Sequence, residues 1–368
     1  MQARRWLRRA LAAVSVPLIA ACEFSGPQSA LDPAGPVAQA QKDLFMWTFW
    51  LSWPVMIGVF GALAYALWRY RARGNAGNAK DLPHQTHGNF RLEVAWTVIP
   101  VILVILVAVP TVRTIFATEQ RVTPGPDDLV VHATGYQWWF KFEYPDLGFT
   151  TANELIIPVG TRVVMSLDSA DVLHAFWVPN LAGKRDMIPN QDNQIWFTAD
   201  RAGTYYGQCA ELCLGAHAYM RFRVIAMERD DYQRWSTAFQ DAGRRTVAAD
   251  PLLERGRILT AQKGCVACHT IDGFGPVAVG NPDFPNLTNF GLRTTVGAAI
   301  ADNTPENLAA WLRDPQAMKP GNYMPTLWTA DDPNRDAEID AIVAYLLSLG
   351  RESTAGASLS LGDLHGRP

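Results

Sequence analysis

Two stretches of this chain, residues 44 to 68 and 94 to 112, contain no Asp, Glu, Lys or Arg. Each approaches or exceeds the ~20 apolar residues that cross a bilayer core, and each is apolar all round, without the single stripe of a helix lying on a soluble core. Between them stand Arg69, Arg71, Arg73, Lys80 and Arg91 against only Asp81 and Glu93. That excess of positive charge places the connection in the cytoplasm. The spacing predicts transmembrane helices over 44–70 and 93–117, a cytoplasmic loop over 71–92, and everything after about residue 113 outside the cytoplasm.

A chain of 368 residues has room for two or three domains beyond the hairpin. Charged residues are 18% and hydrophobic residues 49%, which excludes disorder over most of the length. The net charge of −3 offers no concentrated basic face, so nucleic acid is excluded as a partner. The first ten residues carry Arg4, Arg5, Arg8 and Arg9 and are followed by an uncharged run, the layout of a signal peptide over 1–21. Ile19-Ala20-Ala21-Cys22 resembles a bacterial lipobox, which would make Cys22 a lipid anchor at the head of an extracytoplasmic segment, 22–43. An ordinary cleavage site beside a chance cysteine is the alternative.

Within a domain expected over 118–228, residues 129–228 read as β: the short runs 129–133, 136–142, 154–167, 194–198, 204–208 and 220–225 are rich in β-branched and aromatic residues and punctuated by Gly, Pro, Asn and Asp. They predict a small sandwich or barrel. The polar segment 229–250 reads as a linker or a solvent-exposed helix. Residues 251–350 are helical in pattern, with helices ending near Lys263, spanning 305–313 with Pro at the start, and spanning 336–349. The small, polar tail 351–368 is expected to be disordered.

Five cysteines, at 22, 209, 213, 265 and 268, form two close pairs and one remainder, a pattern of metal or cofactor attachment more than of a disulfide framework. Cys209-Ala210-Glu211-Leu212-Cys213 is followed by His217 and Met220, and His174 lies on an earlier loop. Thiolates, imidazoles and a thioether favour copper over Mg²⁺ or Ca²⁺. A Cys209–Cys213 disulfide or a Cys₂His₂ zinc site are the alternatives, and neither uses Met220. The pattern H…CxExCxxxHxxM resembles subunit II of the haem-copper oxidases. The resemblance implies a cupredoxin domain with dinuclear CuA: Cys209 and Cys213 bridging, His174 and His217 terminal, Met220 a weak ligand, Glu211 giving its backbone carbonyl. It also implies that the Glu211 side chain faces a Mg²⁺ shared with subunit I. An electron spread over two coppers changes little at each, so reorganisation is small on a stiff scaffold.

The same resemblance covers about residues 40 to 228. In Gly135-Tyr136-Gln137-Trp138-Trp139-Phe140 it implies that electrons enter at Trp138, while Trp139 and Phe140 read as sandwich core. Ahead of the second span, it implies that Glu93 stands at the mouth of a proton channel in the partner subunit. A plain helix N-terminal carboxylate is the other reading of Glu93.

Cys265-Val266-Ala267-Cys268-His269 is a CxxCH, the attachment motif of a c-type haem, with two thioethers and an axial His269. No βαβ pattern surrounds it, as a thioredoxin-like pair would need, and no second cysteine pair completes a zinc ribbon. The downstream Tyr323-Met324-Pro325 resembles class I cytochrome c, which implies Met324 as the sixth ligand, with Met318 the competitor. Both axial positions are then filled, and the domain carries electrons without binding O₂.

The whole reads as a multidomain membrane protein: a two-helix transmembrane hairpin, an all-β cupredoxin domain and an all-α cytochrome c domain. The resemblance implies subunit II of a caa3-type cytochrome c oxidase in a bacterial inner membrane. It would take electrons from an external donor, a cytochrome c, another high-potential carrier or a complex III-type reductase. They would pass through haem c to CuA and on to the O₂-reducing centre of subunit I, with subunit III alongside and protons moved outward. Two other functions remain open, a CuA subunit of a nitric oxide reductase and a membrane-anchored copper or haem delivery protein.

Overall fold

The structure, a computed structural model, describes residues 26–71, 87–242, 250–274 and 280–350. The signal peptide, Cys22, the centre of the loop over 71–92, the end of the segment 229–250 and the tail 351–368 lie outside the described residues.

Helices α1 (Pro36–Arg69) and α2 (Phe90–Thr118) are long and apolar enough to cross a membrane. Both start before the predicted spans, at Pro36 where residue 44 was expected and at Phe90 where 93 was expected. An uncharged run marks the length that fits in hydrocarbon, whereas α1 begins earlier, with Val37 and Ala38 buried in its first turn. There Gln39 bonds to Asp43 one turn on, at 2.7 Å. Asn89 caps α2 by accepting from the N–H groups of Arg91 and Leu92. Within the hairpin, the Trp47 indole donates to the Leu106 carbonyl at 3.0 Å, a partner for a polar group that hydrocarbon cannot satisfy.

The second unit holds the β domain and the helical domain. Ten strands build the first: β1 (Leu129–Tyr136), β2 (Trp139–Tyr144), β3 (Phe149–Ala152), β4 (Glu154–Pro158), β5 (Arg162–Ser169), β6 (His174–Trp177), β7 (Lys184–Met187), β8 (Asn193–Thr198), β9 (Gly203–Gln208) and β10 (Arg221–Met227). One sheet runs β3-β2-β1-β5-β8, a second β4-β10-β9, and β6 pairs with β7. Phe142, Phe176, Phe197 and Phe222 fill the space between the sheets, with Phe176 and Phe222 stacked at 4.7 Å. The predicted run 136–142 divides between β1 and β2. The run 154–167 divides at Gly160, whose φ of 72° makes the turn. β3, β6 and β7 went unpredicted; β7 reads Lys-Arg-Asp-Met and carries no hydrophobic alternation to find.

The segment expected to be a linker or solvent-exposed helix is helical but not solvated all round. Along α3 (Arg229–Ala242), Trp235 and Phe239 are buried against Phe149, at 5.5 and 4.7 Å between ring centres. Their i, i+4 spacing is one apolar stripe on a helix whose charges face water.

The helical domain comprises α4 (Pro251–Gln262), α5 (Cys265–Cys268), the hairpin β11 (Thr295–Val296) and β12 (Ala301–Asp302), α6 (Pro305–Arg313), α7 (Pro315–Met318) and α8 (Arg335–Ser348). Asp250 and Thr304 cap α4 and α6, each followed by proline in the first turn. Ile339, Ile342, Tyr345 and Leu346 of α8 are buried in one cluster with Leu259 of α4. Each fully buried side chain of this kind contributes roughly 1.5 to 3 kcal/mol.

Candidate functional site

Two loops at one end of the β sandwich meet around a pair of free thiols. Cys209, just past β9, and Cys213 hold their sulfurs 3.8 Å apart, nearly twice a disulfide bond length, so the pair is not cross-linked. The Cys209 Sγ lies 3.9 Å from His174 Nδ1 and 3.1 Å from the Glu211 carbonyl oxygen. The Cys213 Sγ lies 3.4 Å from His217 Nδ1 and 3.8 Å from Met220 Sδ. Sequence-distant His174 is brought in by the first residue of β6. The hydrogen bond with Cys213 holds the Cys209 thiol down to about 4, against burial and with help from His174, while the same pairing pushes Cys213 up. A thiolate thus forms readily among soft donors. Two sulfurs, two imidazoles, a thioether and a carbonyl in this proximity fit copper, and they do not fit a hard cation.

Asp171, which the sequence reading did not single out, sits 2.8 Å from His174 Nε2 and fixes the ring with Nδ1 towards sulfur. Burial acts to lower the His174 pKa, but Cys209 and Asp171 together leave it raised. The ring also packs against the β1 backbone: a Cβ at Gly135 would stand 2.8 Å from His174 Cδ2, so no larger residue fits there. The Glu211 carboxylate lies 3.1 Å from Lys184 Nζ. Glu93 sits in the first turn of α2, exposed, its carbonyl accepting from Thr97.

In the helical domain a cavity of about 550 Å³ is lined by Cys265, Cys268, His269 and Met324, with Leu312 and Leu346 among its apolar walls. Met318 does not line it. His269 Nδ1 donates to the Pro285 carbonyl at 2.8 Å, which leaves Nε2 as the lone-pair nitrogen. Burial pushes the His269 pKa down and keeps the ring neutral, as a ligand to iron must be. Two thiols, a neutral imidazole and a thioether around an apolar cavity fit a haem attached through CxxCH.

The cavity also touches Trp138 and Trp139 of the β domain. Trp138 is 7% exposed and donates its indole N–H to the Cys213 carbonyl at 2.9 Å. A Cβ at Gly215 would lie 2.1 Å from Trp138 Cζ2, so this loop can cradle the indole only as glycine. On its other side Trp138 meets Tyr323, ring centres 4.8 Å apart, and Lys319 Nζ donates to the Trp138 carbonyl at 2.6 Å. Phe140 is fully buried in the sandwich as expected, whereas Trp139 does more than fill core: its indole donates to the Asp283 carbonyl across the domains at 3.3 Å.

Fold and site together define a membrane-anchored electron-transfer protein with a copper-binding β domain and a haem-binding helical domain. The chain matches Cytochrome C oxidase subunit II, transmembrane domain, over residues 27–114; Cytochrome C oxidase subunit II, periplasmic domain, over 149–227; and Cytochrome c over 253–350. It is 39% identical over 325 residues to cytochrome c oxidase subunit 2 of Alkalihalophilus pseudofirmus, which covers 87% of this chain and 90% of that one. It is 35% identical over 338 residues to cytochrome c oxidase subunit 2 of Bacillus subtilis, covering 88% and 92%. The crystal structure of the periplasmic domain of cytochrome oxidase subunit II of Bradyrhizobium japonicum is 33% identical and covers 32% of this chain and 95% of that one, with a TM-score of 0.30. The chain belongs to the cytochrome c oxidase subunit II family, with a cytochrome c domain following the copper domain. It is the subunit at which electrons enter a respiratory oxidoreductase, with subunit I as its partner.

Proposed function

We propose that this chain is subunit II of a caa3-type oxidase, in which a covalently held haem c and a dinuclear copper centre form one relay inside one polypeptide. When bound, the haem supplies a one-electron carrier of raised potential and the copper pair an acceptor of low reorganisation. Cys265, Cys268, His269 and Met324 are the residues that would hold the haem. Cys209, Cys213, His174, His217, Met220 and the Glu211 carbonyl are the donors that would hold the copper pair. Asp171 orients His174, Pro285 orients His269, and Trp138 spans the gap between the two sites.

The observation that carries this reading is the position of Trp138, bonded to the Cys213 carbonyl at 2.9 Å on one side and packed on Tyr323, beside Met324, on the other. Fusion makes the encounter intramolecular and raises the effective concentration of the donor domain. The resemblance supports a bacterial inner membrane location, a lipid on Cys22, a Mg²⁺ shared with subunit I at Glu211, proton uptake near Glu93, a subunit III neighbour and an external donor to the haem. Anaerobic redox spectroscopy of the purified protein tests the reading. A reducible c-type haem band with a copper EPR signal shared over two nuclei is the expected result; one copper, or zinc alone, would overturn it.

A further inference from the structure

Glu154, the first residue of β4, is only 3% exposed, and the partners of its carboxylate come from the other domain. One oxygen accepts from the Thr294 N–H at 2.9 Å, the Thr294 hydroxyl at 2.8 Å, the Thr295 N–H at 2.7 Å and the Thr295 hydroxyl at 2.6 Å. The second oxygen lies 3.2 Å from the Thr294 N–H. Arg293, half-buried beside them and lining the haem cavity, supplies the nearby positive charge.

A carboxylate removed from water is unfavourable unless donors replace the lost hydration. Here those donors belong to the loop that enters β11, so Glu154 is satisfied in its buried position only while the helical domain sits on the β sandwich. Four donors converging on one oxygen also fix where that loop sits, which a flat apolar contact would not do. The same surface carries weaker ties at other points: Arg223 donates to the Ala299 carbonyl at 3.0 Å, and the Tyr323 hydroxyl donates to Gln137 Oε1 at 2.9 Å. Glu154 and Trp138 meet the helical domain at different points, Glu154 at Thr294 and Thr295 and Trp138 at Lys319 and Tyr323.

We infer that Glu154 is an interdomain latch, a positioning residue that holds the cytochrome domain on the copper domain with the haem cavity facing Trp138. The latch rests on the reading that the cytochrome domain delivers its electrons at Trp138. It has no contact with either set of ligands. Its role is to remove the search step that a tethered but undocked donor domain would need.

Hydrogen–deuterium exchange on the assembled full-length oxidase tests it with Glu154→Ala and Glu154→Gln. In the alanine variant the amides of Thr294 and Thr295 and the segment around Tyr323 are expected to exchange faster, by roughly ten- to hundredfold, while α8 keeps its protection. The glutamine variant, which retains an acceptor without the charge, should fall between. Unchanged exchange at Thr294 and Thr295 would overturn the latch, and so would equal loss of protection in α8, which would make Glu154 a residue of domain stability. Transient kinetics of haem-to-copper transfer on the same samples separates the two readings. Loosened exchange with slowed transfer supports both, and loosened exchange with unchanged transfer leaves Glu154 a docking contact but overturns its role in delivery at Trp138.

Discussion

The indole nitrogen of Trp138 and the carbonyl oxygen of Cys213 are 2.9 Å apart, a direct hydrogen bond between the residue that faces the haem cavity and the backbone of a thiol in the copper cluster. Gln137 Nε2 donates to the same oxygen at 2.9 Å, so the Cys213 carbonyl has two fixed donors. A site held in this way cannot shift much as charge arrives, which is the condition for fast transfer.

Replacing Trp138 by Phe keeps a ring against Tyr323 but removes the bond to Cys213. Gln137 still donates to that carbonyl, so the lost bond costs only about 0.5 to 1.5 kcal/mol in stability. Flash-initiated transfer from haem to copper should slow several-fold while both reduction potentials stay put. Unchanged kinetics would mean that electrons take another route.

Asp171 holds His174 by a 2.8 Å bond. Asp171→Ala is expected to weaken copper binding by about 10- to 100-fold, the usual effect of removing a ligand's outer partner. Competition with a copper chelator, followed through the absorption of the centre, measures this. Asp171→Asn, which keeps an acceptor, should recover part of the loss.

Met324 lines the haem cavity and Met318 does not. Met324→His should lower the haem potential clearly, since two histidines bind with a lower potential than a Met/His pair. Met318→Leu should leave it where it was, and potentiometric titration distinguishes the two.

Lys319 is 4% exposed, and burial pulls its pKa down to about 7. Below that value both the folded and the unfolded chain carry the proton. Between it and the ordinary value of about 10.4 only the unfolded chain does, so stability should rise with pH across that window, by at most about 1.4 kcal/mol per pH unit. Thermal melting between pH 7 and pH 9 checks the slope, and Lys319→Met should flatten it. A slope that survives the substitution would assign the effect to another group.

Much of this architecture was legible from local pattern. The two uncharged runs gave the hairpin, and CxExC with its trailing His217 and Met220 gave the copper cluster because one turn and one loop bring these residues together. CxxCH gave the haem cavity for the same reason. What escaped was non-local. Glu154 and Thr294 are 140 residues apart, and nothing in a lone glutamate before an apolar strand says which donors will surround it. Asp171 could have been found, three residues before His174 on the same loop. For Trp139, the pattern of a strand shows which face the residue lies on and not which second domain covers that face.

The cavity in the helical domain takes part of its wall from Trp138 and Trp139, so it is complete only when the two domains are together. The chamber where Cys265, Cys268, His269 and Met324 meet is therefore a property of the two docked domains together and not of the helical fold alone.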